Sequence, residues 1–84
     1  MRMFILKNCP HCKRAIGWIE ELKRENPEYE KIEIELVDEQ INSELANQYD
    51  YYYVPALYDG ESKLHEGVAT KNGIKSIFDL YLKK

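Results

Sequence analysis

The 84-residue chain holds two cysteines, and they stand together in Cys9-Pro10-His11-Cys12. A dithiol at this spacing can close to a disulfide and open again, provided the two sulfurs can meet and part. The apolar run Met3-Phe4-Ile5-Leu6 precedes the motif, and a helical pattern begins at Pro10. Cys9 therefore falls at a helix cap, exposed, with free backbone N–H groups turned toward it. A helix N-terminus carries about half a positive charge and favours an anion. Thiols in this setting have pKa values depressed from about 8.5 to roughly 3.5–7.5. Cys9 is the natural attacking thiolate. Cys12, one turn in and more buried, is the natural resolving thiol. Pro10 suits the first helical position, where its missing N–H costs nothing. A protonated His11 ring favours the Cys9 thiolate and raises the reduction potential. The competing reading of His11 is an exposed bystander.

Other chemistries compete for the same residues. Structural zinc takes four ligands, and Cys9, Cys12, His11 and His65 supply four in count. Against this, His11 lies inside the pair and His65 has no spacing partner. A dimer bridged through two cysteine pairs is the other zinc arrangement. A non-catalytic interaction module is the third reading. A structural staple is the weakest, because so small a loop removes little chain entropy and stapled secreted domains carry more cysteines.

The motif needs elements to hold it, and the pattern supplies seven. Residues 2–7 read as a buried central strand. Residues 10–26 read as a helix, with Cys12, Ala15, Ile16, Ile19 and Leu22 at helical spacing and Pro27 as the stop. In residues 31–37, Ile32, Ile34 and Leu36 alternate with glutamates, as in a half-buried strand near a sheet edge. A weaker helix is expected at about 40–49, with Ile41, Leu45 and Ala46 inward. Residues 53–58 read as a strand entered through Pro55, Asp59-Gly60 as a hairpin turn, and 62–66 as the return strand. Ile74, Ile77, Phe78, Tyr81 and Leu82 form the clearest helical stripe, with Thr70 or Asn72 as its cap. The order β-α-β-α-β-β-α gives an α/β fold. It has one mixed four-stranded sheet and three helices, the first β-α-β unit being parallel and right-handed.

Size and charge narrow the classes. A chain of 84 residues makes one domain, 1–84, burying roughly 60–65% of its unfolded surface. The net charge is −3, whereas nucleic-acid binders lean basic. The charge is unevenly spread: residues 1–19 carry Arg2, Lys7, Lys13 and Arg14 and no acid, while residues 20–39 carry nine acids against three bases. The positive end favours an anion such as a thiolate. The run Met3–Leu6 is too short for a membrane span or a secretory signal, so neither membrane nor export is expected. Tyr49, Tyr51, Tyr52, Tyr53 and Tyr58 crowd the approach to Pro55, either as an aromatic wall that grips a peptide or as strand packing. Gly17 in mid-helix has no evident reason.

Together these features resemble the thioredoxin superfamily, most nearly its small glutaredoxin-like proteins. The resemblance rests on the Cys9–Cys12 motif after the first strand, Val54-Pro55 opening the third strand, the Asp59-Gly60 hairpin, and Gly67 before the last helix. It covers nearly the whole chain and implies a minimal thioredoxin/glutaredoxin fold and dithiol-disulfide exchange. It further implies that Pro55 is cis beside the dithiol and that Val54, flanked by Tyr53, offers its backbone to the substrate. A glutathione site would use Lys7 for the glycyl carboxylate and the stretch Gly67, Ala69 and Thr70 for the γ-glutamyl group. The chain departs from the family at three places. His11 stands where tyrosine is common. Lys7 is two residues before Cys9, where the family places its cation three before. Val68 and Thr70 replace the second glycine and the aspartate of the Gly-Gly-small-Asp stretch. The expectation is a cytoplasmic monomer with no bound cofactor or metal. It acts on protein or small-molecule disulfides, with glutathione or a flavoprotein reductase as electron donor.

Overall fold

A computed structural model of the chain describes residues 1–83. Strand β1 (Arg2–Ile5) is central, with Met3 and Phe4 both fully buried on opposite faces. It pairs in parallel with β2 (Glu35–Asp38) and antiparallel with β3 (Ala56–Asp59), which pairs antiparallel with β4 (Ser62–Glu66). The sheet order is β2-β1-β3-β4. Helices α1 (Pro10–Glu25), α2 (Ser43–Ala46) and α3 (Lys71–Leu82) complete the expected β-α-β-α-β-β-α order. No helix of the described residues is long and apolar enough to cross a membrane.

The two faces of β1 seed two cores. Met3 packs with Leu57, with Ala15, Ile19 and Leu22 of α1, and with Ile74 and Phe78 of α3. Phe4 packs with Val37, Ala46, Ala56 and Tyr58 on the other face. Trp18 lies partly buried against the first core. Tyr49, Tyr51 and Tyr58 surround Phe4, with ring centroids 4.7, 5.1 and 5.9 Å away. These tilted, stacked and edge-on aromatic contacts add to plain burial. Of the five crowded tyrosines, Tyr58 is thus core and Tyr49 and Tyr51 pack half-buried against it, which supports packing over a wall. The other two lie at the surface: Tyr52 is 85% exposed and Tyr53 70%.

The structure corrects three expected elements. The strand expected at 31–37 begins only at Glu35, because Pro27–Lys31 winds into a 3-10 turn that drives Tyr29 into the core beside Phe78. Ile32 is fully buried just after that turn, but Leu36 is 47% exposed, and the buried residue of β2 is Val37 on the opposite face. The expected edge position holds. The helix expected at 40–49 shrinks to the single turn α2, and Ile41 is 77% exposed. The cause lies after β2. The Asp38 carboxylate accepts the Gln40 N–H at 2.9 Å, and the Asp38 carbonyl accepts from Ile41 and Asn42. That turn points Ile41 outward before any helix starts. The third strand begins at Ala56, not residue 53, since Pro55 has no N–H to donate to a ladder, so Tyr53 lies outside it. The last hairpin runs as expected, with Gly60 at a φ of 60° in the turn, a conformation that glycine enters at no steric cost.

Candidate functional site

Four segments meet at one end of the sheet. β1 runs out through Leu6 into Cys9, whose N–H donates to the Leu6 carbonyl at 3.2 Å. β2 ends beside it, the Glu39 N–H donating to the Ile5 carbonyl at 3.0 Å. The antiparallel register of Phe4 with Ala56 puts Pro55 one step beyond the ladder at the same end. The Gly67 N–H then donates to the Pro55 carbonyl at 2.9 Å and brings in the end of β4. These few backbone contacts bring the segment of Lys7 and Cys9 and the segments of Val54, Pro55 and Gly67 to the same end of the sheet.

Cys9 is the N-cap of α1 and Pro10 its first residue. In that position the Cys9 Sγ accepts the Cys12 N–H at 3.4 Å. Partial burial works against its ionisation. The Cys12 thiol and the backbone N–H groups of Cys12 and His11 outweigh it, and the Cys9 thiol is held below its ordinary value. Cys12 behaves oppositely. It is almost wholly buried against α1's own stripe, and burial pushes its thiol up to about 12, with the neighbouring Cys9 and Glu39 adding to the rise and the Leu6 backbone opposing it. Two thiols three residues apart thus have opposite acidities, from a helix cap on one side and desolvation on the other.

The remaining residues fall into place unequally. The His11 ring is exposed and its Nδ1 lies 3.4 Å from the Arg14 guanidinium. Toward Cys9, His11 works through its backbone N–H. Lys7 is exposed and, with Leu6, Asn8, Cys9 and Gln40, lines a pocket of about 200 Å³. The Val54–Pro55 bond is cis. Pro55 is fully buried, while the Val54 N–H and C=O make no hydrogen bond among the described residues. Gly67 has a φ of 88°, which a β-carbon would strain. Ala69 is buried in the core shared with α1, and Thr70 is the N-cap of α3, its hydroxyl accepting the Gly73 N–H at 3.0 Å. The hydroxyl is therefore already committed to the helix. His65 Nε2 lies 3.0 Å from the Gly67 carbonyl, and among the described residues no three His, Cys, Asp or Glu groups converge as a metal site.

Three residues were not singled out from the pattern. Gln40 reaches the Cys9 pocket because the turn after β2 places it there. Glu39 accepts the Tyr51 hydroxyl at 3.2 Å and bears on the Cys12 thiol. Glu66 holds the chain just before Val54. Periodicity carries no signal for any of them, since each acts at a junction between elements distant in sequence.

No curated protein and no solved structure matches the chain. A family model described as Glutaredoxin matches residues 2–63. That span is well over half of the chain. It runs from β1 into β4 and includes both cysteines and the cis-proline, leaving Gly67 to Thr70 beyond its end. With the sheet order and the dithiol turn in the same residues, the chain belongs to the glutaredoxin family, a thioredoxin-fold family with a thiol-redox role.

Proposed function

We propose that this protein is a dithiol-disulfide oxidoreductase in which Cys9 attacks and Cys12 resolves. The observation that carries the reading is the capping of α1 by the Cys9 sulfur, above a buried Cys12 thiol. The Cys9 thiolate attacks one sulfur of a substrate disulfide, forming a Cys9 mixed disulfide and expelling a thiolate that takes up a proton. Cys12 then gives up its proton and attacks the Cys9 sulfur. The second substrate thiol leaves, and the Cys9–Cys12 disulfide remains. Two electrons pass from the dithiol to the substrate, with one proton from Cys12 and one from solvent. Two molecules of glutathione restore the dithiol by the reverse sequence and become glutathione disulfide; a flavoprotein reductase is the alternative donor.

Glutathione fits the site in part. Lys7 shares the pocket with Cys9 and suits the glycyl carboxylate. The unpaired Val54 backbone suits the cysteinyl peptide, and amides leading into α3 suit the γ-glutamyl carboxylate. No acid stands at Thr70 for the γ-glutamyl ammonium. Binding is therefore weak but present. Protein disulfides and small-molecule disulfides are both substrates in this reading.

The test is turnover of a mixed disulfide with glutathione as donor, followed by mass spectrometry of the variants. Cys9→Ser abolishes exchange. Cys12→Ser accumulates the Cys9 mixed disulfide. If Cys12 is the residue trapped by substrate in the wild type, the assignment is reversed.

A further inference from the structure

The end of β4 grips the chain ahead of the cis-proline at three successive points. One oxygen of the Glu66 carboxylate accepts the Tyr52 N–H at 2.7 Å and the Tyr53 N–H at 3.1 Å. Its other oxygen accepts the Lys63 ammonium at 2.6 Å. The next residue, Gly67, donates to the Pro55 carbonyl at 2.9 Å. The Glu66 side chain is 19% exposed, while the residues it binds, Tyr52 and Tyr53, lie at the surface. Residues 52, 53 and 55 are thus all tied to Glu66-Gly67, and the residue between them, Val54, keeps both backbone groups free among the described residues. Charge-assisted hydrogen bonds from a carboxylate to backbone N–H groups are about twice as strong as neutral ones. Here they are spent on a segment that lies in no strand, in front of exposed Tyr52 and Tyr53.

We propose that Glu66 is a positioning residue for substrate: its carboxylate fixes the Tyr52-Tyr53 peptide units, and so sets the direction in which Val54 presents its N–H and C=O at the end of the sheet that carries Cys9. Glu66 touches neither sulfur and does no chemistry. It makes the docking edge rigid before the substrate arrives, which lowers the ordering cost of binding. The proposal rests on the reading of Cys9 as nucleophile and Val54 as the substrate's backbone partner. A substrate with a peptide backbone needs this edge; a small disulfide without one does not.

The experiment compares a glutathionylated peptide with hydroxyethyl disulfide as oxidants of the pre-reduced wild type, Glu66→Ala, Glu66→Gln and Lys63→Met in single turnovers without glutathione, half-saturation and limiting rate standing for KM and kcat, so that no peptide enters the hydroxyethyl disulfide reaction. Removing the carboxylate raises KM for the peptide roughly tenfold, the scale of losing such bonds. The kcat, the hydroxyethyl disulfide rate and the rate of Cys9 alkylation stay unchanged. Glu66→Gln, which keeps an acceptor oxygen and the fold, gives a smaller rise. Lys63→Met leaves both backbone bonds and leaves KM unchanged. Amide resonances of Tyr52, Tyr53 and Val54 shift in Glu66→Ala, and those of α1 do not. An unchanged peptide KM in both Glu66 variants overturns the proposal, as does an equal loss on both substrates together with altered Cys9 alkylation, which marks a general structural role. If the wild type turns over neither substrate, the oxidoreductase reading itself falls and the proposal falls with it.

Discussion

The Cys12 backbone N–H donates to the Cys9 sulfur at 3.4 Å, while the Cys12 thiol lies in the core. One residue thus helps to ionise its neighbour and is itself kept protonated. This arrangement separates the two thiols in acidity, because Cys9 gives up its proton more readily than an ordinary thiol and Cys12 less readily. Burial is the main cause of the high Cys12 pKa and Cys9 a smaller one, so a mixed disulfide at Cys9 would remove part of what holds the Cys12 proton.

Alkylation should report this division directly. At about pH 7, iodoacetamide is expected to label Cys9 first, with a rate whose pH midpoint lies below 9.0, since only thiolate reacts. Cys12 in the folded protein should resist labelling until close to pH 12. Peptide mapping after brief labelling distinguishes the two. Cys12 labelled first would reverse the roles.

The same burial has a consequence for stability. The Cys12 pKa is raised from 9.0 to about 12 in the folded chain, so the folded state holds this proton more tightly than the unfolded one. The contribution is fully present below pH 9 and is lost as pH rises toward 12. Urea unfolding of the reduced protein is expected to show the advantage of wild type over Cys12→Ala constant up to about pH 9 and shrinking from there toward about pH 12. A constant difference would mean that Cys12 ionises normally in the fold.

Thr70→Asp should improve glutathione-linked turnover. The substitution keeps a helix-capping oxygen for the Gly73 N–H and adds the missing charge opposite the γ-glutamyl ammonium. An exposed pair of this kind is worth up to about 1 kcal/mol, or a factor near five in KM for glutathione. Unchanged KM with unchanged thermal stability would remove the start of α3 from the glutathione site and favour a flavoprotein reductase as donor.

Gly17→Ala should stabilise the protein. A β-carbon at Gly17 meets nothing within 4 Å, so the helix gains without a clash. Alanine is favoured over glycine by roughly 0.8–1 kcal/mol in a helix interior. For a domain of this size that raises Tm by about 4–8 °C, measurable by calorimetry. Activity should not change, since Gly17 lies more than a turn beyond Cys12.

The dithiol and its chemistry are written locally. Cys9, Pro10 and Cys12 are four consecutive positions or fewer apart, and a helix start alone dictates which sulfur is capped and which is buried. The long stripes of α1 and α3, and the Asp59-Gly60 hairpin, are likewise legible, because periodicity and turn chemistry act over a few residues. What tertiary structure decided lies where local preference is weak. Residues 32–36 alternate like a strand, but pairing with β1 begins only at Arg2 with Glu35, and Tyr29 and Ile32 fill the core before it. Ile41 has the hydrophobicity of a helix face and is turned outward by hydrogen bonds to Asp38. Glu66 sits 14 and 13 residues from the two amides it binds, at the end of a strand whose composition says nothing of Tyr52 or Tyr53. Such contacts depend on the antiparallel register that carries β4 back toward Pro55, and register is a property of the assembled sheet rather than of any one segment.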